Sequence, residues 1–237
     1  SLTDFLLASI CMTFGAALQG TVGFGMGLLG SPILILINPL FVPGPILMST
    51  LILTIALTNR DRASLDLKGL AWALSGRMVG TISGAITLAT LPFDKLPIVF
   101  GTLVLTAVAM TVSGLRLEPS RIKLLVAGTL SGIMGTVASI GGPPMALLYQ
   151  HASGSTVRAN MSGFFLLGTI LSIVALATVG RFGVQEIRLT LLLLPSVSLG
   201  FLISNWTSKF LDRGYVRLAI LMASGTSGII VILRQLF

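Results

Sequence analysis

Chemistry has few places to reside in this chain, because charged side chains make up 9% of it and most fall in short polar stretches. What stands out instead is a pair of glycine and proline clusters inside the two longest apolar runs. The first sets Gly23, Phe24, Gly25, Gly27 and Gly30 ahead of Pro32; the second sets Ile140, Gly141 and Gly142 ahead of Pro143 and Pro144. Each follows the tripeptide Gly-Thr-Val, which begins at Gly20 and at Gly135. Glycine tolerates unusual dihedrals and close approach, and proline fits the first turn of a helix, where its missing N–H is no loss. Each cluster therefore reads as a loop followed by a helix start. A helix start presents unpaired N–H groups and about half a positive charge, which suits an anion. The polar side chains nearby, Gln19, Thr21, Ser31, Thr136 and Ser139, are neutral and can hydrogen-bond a guest without the cost of a buried charge.

One charge lies inside an apolar run. Arg77 stands ten residues into residues 67–91, about 15 Å deep and so near a membrane midplane. A central arginine costs roughly 2.5–3.5 kcal/mol to insert, which makes it a functional candidate. The acids, Asp4, Asp61, Asp66, Asp94, Glu118, Glu186 and Asp212, all fall in loops or at run ends. An anionic substrate or the carbonyls of a broken helix are the partners left to Arg77. His151 could relay protons or simply cap a helix end. Asn160 and Asn205 read as cross-helix hydrogen-bonders. Gly76, Gly80, Gly84, Gly132 and Gly135, spaced by three or four, read as close-packing positions between helices. A hydrolase built on Ser139 and His151 would lack any nucleophile-elbow pattern, so no enzyme is expected. The single cysteine, Cys11, excludes an internal disulfide and a cysteine metal site. Neither metal nor cofactor is expected.

The elements that must hold these residues are membrane helices. The mean hydropathy is +1.01 and 54% of the residues are hydrophobic. Apolar runs fall at about 3–37, 43–58, 67–91, 96–115, 121–150, 160–180, 187–208 and 215–236. Most have the ~20 residues that a helix needs to cross a bilayer, whereas barrel strands would be half as long and alternate in polarity. The runs form two sets of four, each led by an overlong run that carries a glycine/proline cluster. Met48-Ser49 against Met161-Ser162, and Gly80 against Gly200, support a duplication. The first run, at about 35 residues, would measure roughly 52 Å as one helix. It must turn back. The expected fold is an all-α integral membrane protein, one domain over 1–237, with two inverted repeats at about 1–118 and 119–237. Each repeat is a broken or re-entrant helical hairpin followed by three transmembrane helices.

Positive charge agrees with the hairpins. They gather Arg60, Arg62, Lys68, Arg116, Arg121, Lys123, Arg158, Lys209, Arg213 and Arg217 on one side and Lys95, Arg181, Arg188 and Arg234 on the other, ten against four. Single crossings would give nine against five. The stronger bias puts both termini outside the cytoplasm. The formal charge of +8 is spread over small loop groups without aromatic interleaving, so nucleic acid is not an expected partner. The first residue is serine, which leaves room for a trimmed start, and residues 1–20 lack the basic segment of a signal peptide.

With "GTVGFGMGLLGSP" and "GGPPMALLYQHASG" each heading a four-run half, the whole chain resembles the sulfite exporter TauE/SafE family. Met26 stands where that family often has another glycine. The resemblance implies a bacterial inner-membrane transporter of small oxyanions, sulfite or organosulfur compounds, with some members moving small carboxylates. The site expected from the residues joins Gln19, Gly20, Thr21, Gly23, Phe24, Gly25, Gly27 and Arg77 with Thr136, Ser139, Ile140, Gly141, Gly142 and Pro143. The expected partners are a small anion and the lipid bilayer, with a homodimer left open. A passive anion channel or a small carboxylate transporter is the alternative.

Overall fold

The computed structural model describes residues 1–61, 66–92, 95–113, 115, 117–149, 152–207 and 213–236, and every element among them is helical. In chain order these are α1 (Leu2–Val22), α2 (Met26–Ile37), a 3-10 turn at Pro39–Phe41, α3 (Gly44–Asp61), α4 (Leu67–Thr90) and α5 (Leu96–Val112). Then come α6 (Arg121–Ala138), α7 (Gly142–Tyr149), α8 (Gly154–Thr178), α9 (Val184–Thr207) and α10 (Arg213–Leu236). His151, the candidate proton relay, lies outside the described residues.

Short polar residues start several helices. Asp66, Ser120 and Ser153 accept hydrogen bonds from the amides of Gly69, Lys123 and Thr156 at the heads of α4, α6 and α8, the cap role these types fill well. The Ser153 cap begins α8 ahead of the apolar run expected at 160. Asn160 therefore sits within α8, where its Oδ1 accepts the Asp66 amide at 2.8 Å and ties α8 to the start of α4.

Five stretches among the described residues are long and apolar enough to cross a membrane: Leu2–Val22, Pro39–Arg60, Arg121–Ala138, Gly154–Thr178 and Val184–Thr207. Helix α4 is as long but less apolar, and its packing explains why. Gly76 and Gly80 bring its backbone against the carbonyls of Leu125 and Thr129 on α6, while Met78, Ile82 and Ile86 on the opposite face are exposed. Small residues inside and large apolar ones outside are the arrangement of a helix whose solvent is lipid. The chain is a multi-pass membrane protein.

Both overlong runs break and fold back. Gly15 of α1 lies against Met26 of α2, and Leu34 shares a cluster with Ala8, Cys11 and Met12. In the other run, Leu124 and Ala127 of α6 pack with Met145 and Leu148 of α7. Each first helix ends on a residue in the left-handed region, Gly23 at φ 100° and Ser139 at φ 59°. Gly25, which opens α2 at φ 134°, has a conformation that side chains rarely allow.

Packing between the two sets of helices is reciprocal. Helix α4 packs on α6 as α9 packs on α1; α3 meets α9 as α8 meets α4; α2 meets α10 as α7 meets α5; and α3 with α8, and α5 with α10, pair directly. The match reaches individual atoms. A Cβ on Gly80 would sit 2.0 Å from the Thr129 carbonyl oxygen, and one on Gly200 would sit 2.3 Å from that of Thr13.

One proline departs from the sequence reading. Pro32 lies inside α2, not in its first turn. It removes the N–H that would have met the Leu28 carbonyl. That oxygen accepts instead from Ser224 Oγ of α10 at 2.7 Å, so a missing backbone bond becomes a tie between helices.

Candidate functional site

The two breaks meet. Gly27, in the first turn of α2, lies directly against the carbonyl of Ser139, and Gly142, at the start of α7, lies against the Phe24 ring. Between them is a cavity lined from the expected set by Gln19, Phe24, Gly25, Gly27, Arg77, Ser139, Ile140, Gly141 and Gly142. Leu28, Leu47, Thr50, Gly135, Phe165 and Thr169 complete the wall. The centre of a water-sized sphere reaches about 20 Å³ of this space. That holds about one water, so the site is too small for an oxyanion in this conformation.

Arg77 is the charged member, and it is 1% exposed. From α4 it donates to Ser131 O and Ser131 Oγ of α6, both at 2.7 Å. It also donates to Ser172 Oγ of α8 at 3.3 Å and Gly168 O at 3.5 Å, and its guanidinium lies 5.3 Å from the Phe164 ring centre. No carboxylate among the described residues pairs with it. Ser131 Oγ in turn donates to the Gly141 carbonyl, so the arginine is coupled through one hydroxyl to the second break. Two buried donors on the lining residues have no protein partner: Arg77 Nε and Gln19 Nε2.

These two side chains reach matching places. Because α1 ends at Val22 and α6 at Ala138, Gln19 of α1 stands level with Gly135 of α6. Half the pair supplies an amide side chain. The other half supplies a vacancy, which the Arg77 guanidinium fills: a Cβ on Gly135 would lie 2.6 Å from its Nη2. The repeated Gly-Thr-Val is thus one residue out of structural register.

The helix starts add backbone donors. Gly25 opens α2 without a side-chain cap. Pro143 and Pro144 occupy the first turn of α7, leaving the amides of Gly141 and Gly142 as the donors at that end. Among the described residues, the wall therefore carries N–H donors on Gln19, Arg77 and two helix starts and no acid.

The sequence profile of one family, sulfite exporter TauE/SafE, matches residues 7–231. The chain belongs to the TauE/SafE family. No curated protein and no solved structure matches it. The TauE/SafE family is a family of membrane transporters, and the apolar helices fit a multi-pass membrane protein.

In this TauE/SafE chain, five residues of the expected site stand off the cavity wall. The Gly20 carbonyl accepts from Arg60 Nη2 at 2.6 Å, and the same guanidinium donates to Asn205 Oδ1 at 2.9 Å, joining the ends of α1, α3 and α9. Thr21 Oγ1 bonds the Ala17 carbonyl and pairs with Thr207 Oγ1 at 2.9 Å. Gly23 turns the first tip against the Arg158 backbone, and Pro143 is buried in the first turn of α7. Thr136 Oγ1 pairs with Ser172 Oγ at 2.9 Å and so lies one bond behind Arg77. Sequence reasoning passed over Ser131, Gly168 and Ser172, which hold the arginine. No local signal marked them, because small residues of these types recur throughout the helices.

Proposed function

We propose that the chain is a secondary transporter that exports a small oxyanion, sulfite or an organosulfur anion, by alternating access about the central cavity. The observation that carries this reading is a cavity lined by Arg77, Gln19 and two helix starts, with Arg77 Nε and Gln19 Nε2 left without a protein partner and no carboxylate among its described lining residues. Cationic and dipolar donors without an anionic acceptor favour an anion over a cation. The remaining expected residues, Gly20, Thr21, Gly23, Thr136 and Pro143, act from behind the wall by shaping the tips.

The two halves, about 1–118 and 119–237, are read as inverted repeats. A hairpin returns the chain to its starting side and three crossings then carry it across, so the second half begins upside down; the reciprocal packing of α4 on α6 and α9 on α1 supports this. Rocking of one half against the other would part the tips, which a space of about 20 Å³ requires before a four-atom oxyanion can enter. Arg60, Arg121 and Arg158 face the cytoplasm in this reading, and both termini lie outside it, in a bacterial inner membrane. One chain supplies the whole lining, so a homodimer is not needed to complete the site.

The test is flux in proteoliposomes together with thermal unfolding of purified protein in sulfite, sulfate, thiosulfate, methanesulfonate and acetate. A transported sulfur oxyanion gives saturable flux and raises the unfolding midpoint with occupancy. Flux that never saturates would replace the transporter with a passive channel, and stabilisation by acetate alone would replace the substrate class.

A further inference from the structure

Toward the end of the bundle where α4 stops and α9 begins lies a second, much larger cavity, of about 630 Å³. Its wall takes in the ends of α2, α4, α6 and α10, the starts of α5 and α9 and the segment between α2 and α3. The antiparallel course of the helices brings Lys95, Arg181, Arg188 and Arg234 to this end, and two of these four, Arg181 and Arg234, line the cavity. Arg181 is anchored at the rim, donating to the Leu88 carbonyl in the last turn of α4 at 2.9 Å. Glu186 lines the cavity as well, but its Oε2 accepts the Gly183 amide at 2.7 Å, so its charge is partly spent on opening α9. Among the described lining residues, two arginines face one glutamate.

The floor of this cavity is the roof of the central site. Leu47, Leu88, Val137 and Leu176 form one cluster. Val137 and Leu88 face the large cavity while Leu47 faces the small one. Pro43 lines the large cavity, and its carbonyl accepts from Oγ of Ser139, which lines the small one, at 3.1 Å. Side chains of one apolar cluster thus line both spaces.

We propose that the larger cavity is an antechamber that gathers the substrate anion through Arg181 and Arg234, with Leu47 and Val137 as the apolar gate to the central site. This rests on the anion-transport reading. Low-dielectric walls with an excess of one sign of charge focus the field and raise the local concentration of the opposite ion. The gate keeps the anion from leaking between the two spaces until the tips move.

The test reads the antechamber without relying on transport. Leu40 lines the cavity and is exposed; it is changed to cysteine with Cys11→Ser, and the reconstituted protein is reacted with a sulfonate-bearing and a trimethylammonium-bearing methanethiosulfonate. Each rate is divided by that of a free thiol. The anionic reagent is expected to be favoured about 10-fold at low salt, with the preference shrinking at high salt. Arg181→Gln with Arg234→Gln brings the ratio near one, and methanesulfonate in the bath slows anionic labelling only while the arginines are present. If the double variant does not fold, Arg234→Gln alone, at an exposed side chain, lowers the ratio in the same direction. A ratio near one in the parent, or one unmoved by the arginine changes, overturns the antechamber. Sulfite flux measured alongside separates the two readings: normal flux with an insensitive ratio removes the antechamber alone, whereas charge-selective labelling with no oxyanion flux removes the transporter and leaves an anion-collecting cavity.

Discussion

Replacing Arg77 with methionine should separate holding the fold from holding the substrate. Each protein atom that accepts from Arg77 keeps another role when the guanidinium goes. Ser131 Oγ still donates to the Gly141 carbonyl, and Ser172 Oγ still pairs with Thr136 and donates to the Gly168 carbonyl at 3.0 Å. No donor is orphaned. Hydrogen bonds to a charged group contribute about 1.5–3 kcal/mol each, but a midplane arginine costs about 2.5–3.5 kcal/mol to insert. An apolar side chain of similar reach also removes the penalty of a buried charge. Counting only the two 2.7 Å bonds, together about 3–6 kcal/mol, against that insertion cost leaves the variant up to about 3.5 kcal/mol less stable, a loss that the fold should survive. Binding should weaken as well, because the anion loses its one cationic donor: about 1.5–3 kcal/mol, or roughly 10- to 150-fold in Kd. The assay is the unfolding midpoint of Arg77→Met in detergent, without anion and across a sulfite titration, beside flux in liposomes. Wild-type affinity and flux in a folded variant refute a binding role for Arg77. Loss of the folded state without ligand refutes the energy balance and makes the arginine a structural pin.

Ser224→Ala should cost about 1–2 kcal/mol because it strands the Leu28 carbonyl that Pro32 has already left unpaired; Pro32→Ala restores an N–H donor, so the double variant should recover part of the loss, and additive effects in the unfolding midpoints would sink that explanation. Gly142→Val places a Cβ 2.8 Å from the Phe24 ring and should cut flux at least about 10-fold while the protein still purifies as a monodisperse species; wild-type rates would remove the tip contact from the mechanism. Gly80→Leu and Gly200→Leu drive side chains into the matching carbonyls of Thr129 and Thr13, so both should lower folded yield to a similar degree. A large effect at one site with none at the other would break the equivalence of the two contacts.

The helices and their interruptions were legible because their causes are local. Runs of apolar residues about as long as a bilayer is thick announce crossings, and Gly23-Phe24-Gly25 and Ile140-Gly141-Gly142 mark where a helix must stop. Boundaries slipped where polar residues joined a helix, as at Gly154–Ala159, since a capped start on Ser153 needs no apolar pattern. Pro32 misled because proline suits a first turn in general, while here its lost bond is replaced by a serine nearly two hundred positions away.

From the sequence alone came the membrane environment, the two breaks, the neutral donors beside them and the isolated Arg77, each set by residue type and near neighbours. Tertiary structure alone decided what Arg77 touches. Ser131, Gly135, Gly168 and Ser172 look like any small residues on membrane helices until α4, α6 and α8 pack together, and only that packing turns a glycine into space for a guanidinium and a helix serine into its acceptor. The physical reason is range: dihedral preference and hydropathy act along the chain, but the fit of one helix surface to another depends on side chains that are distant in sequence.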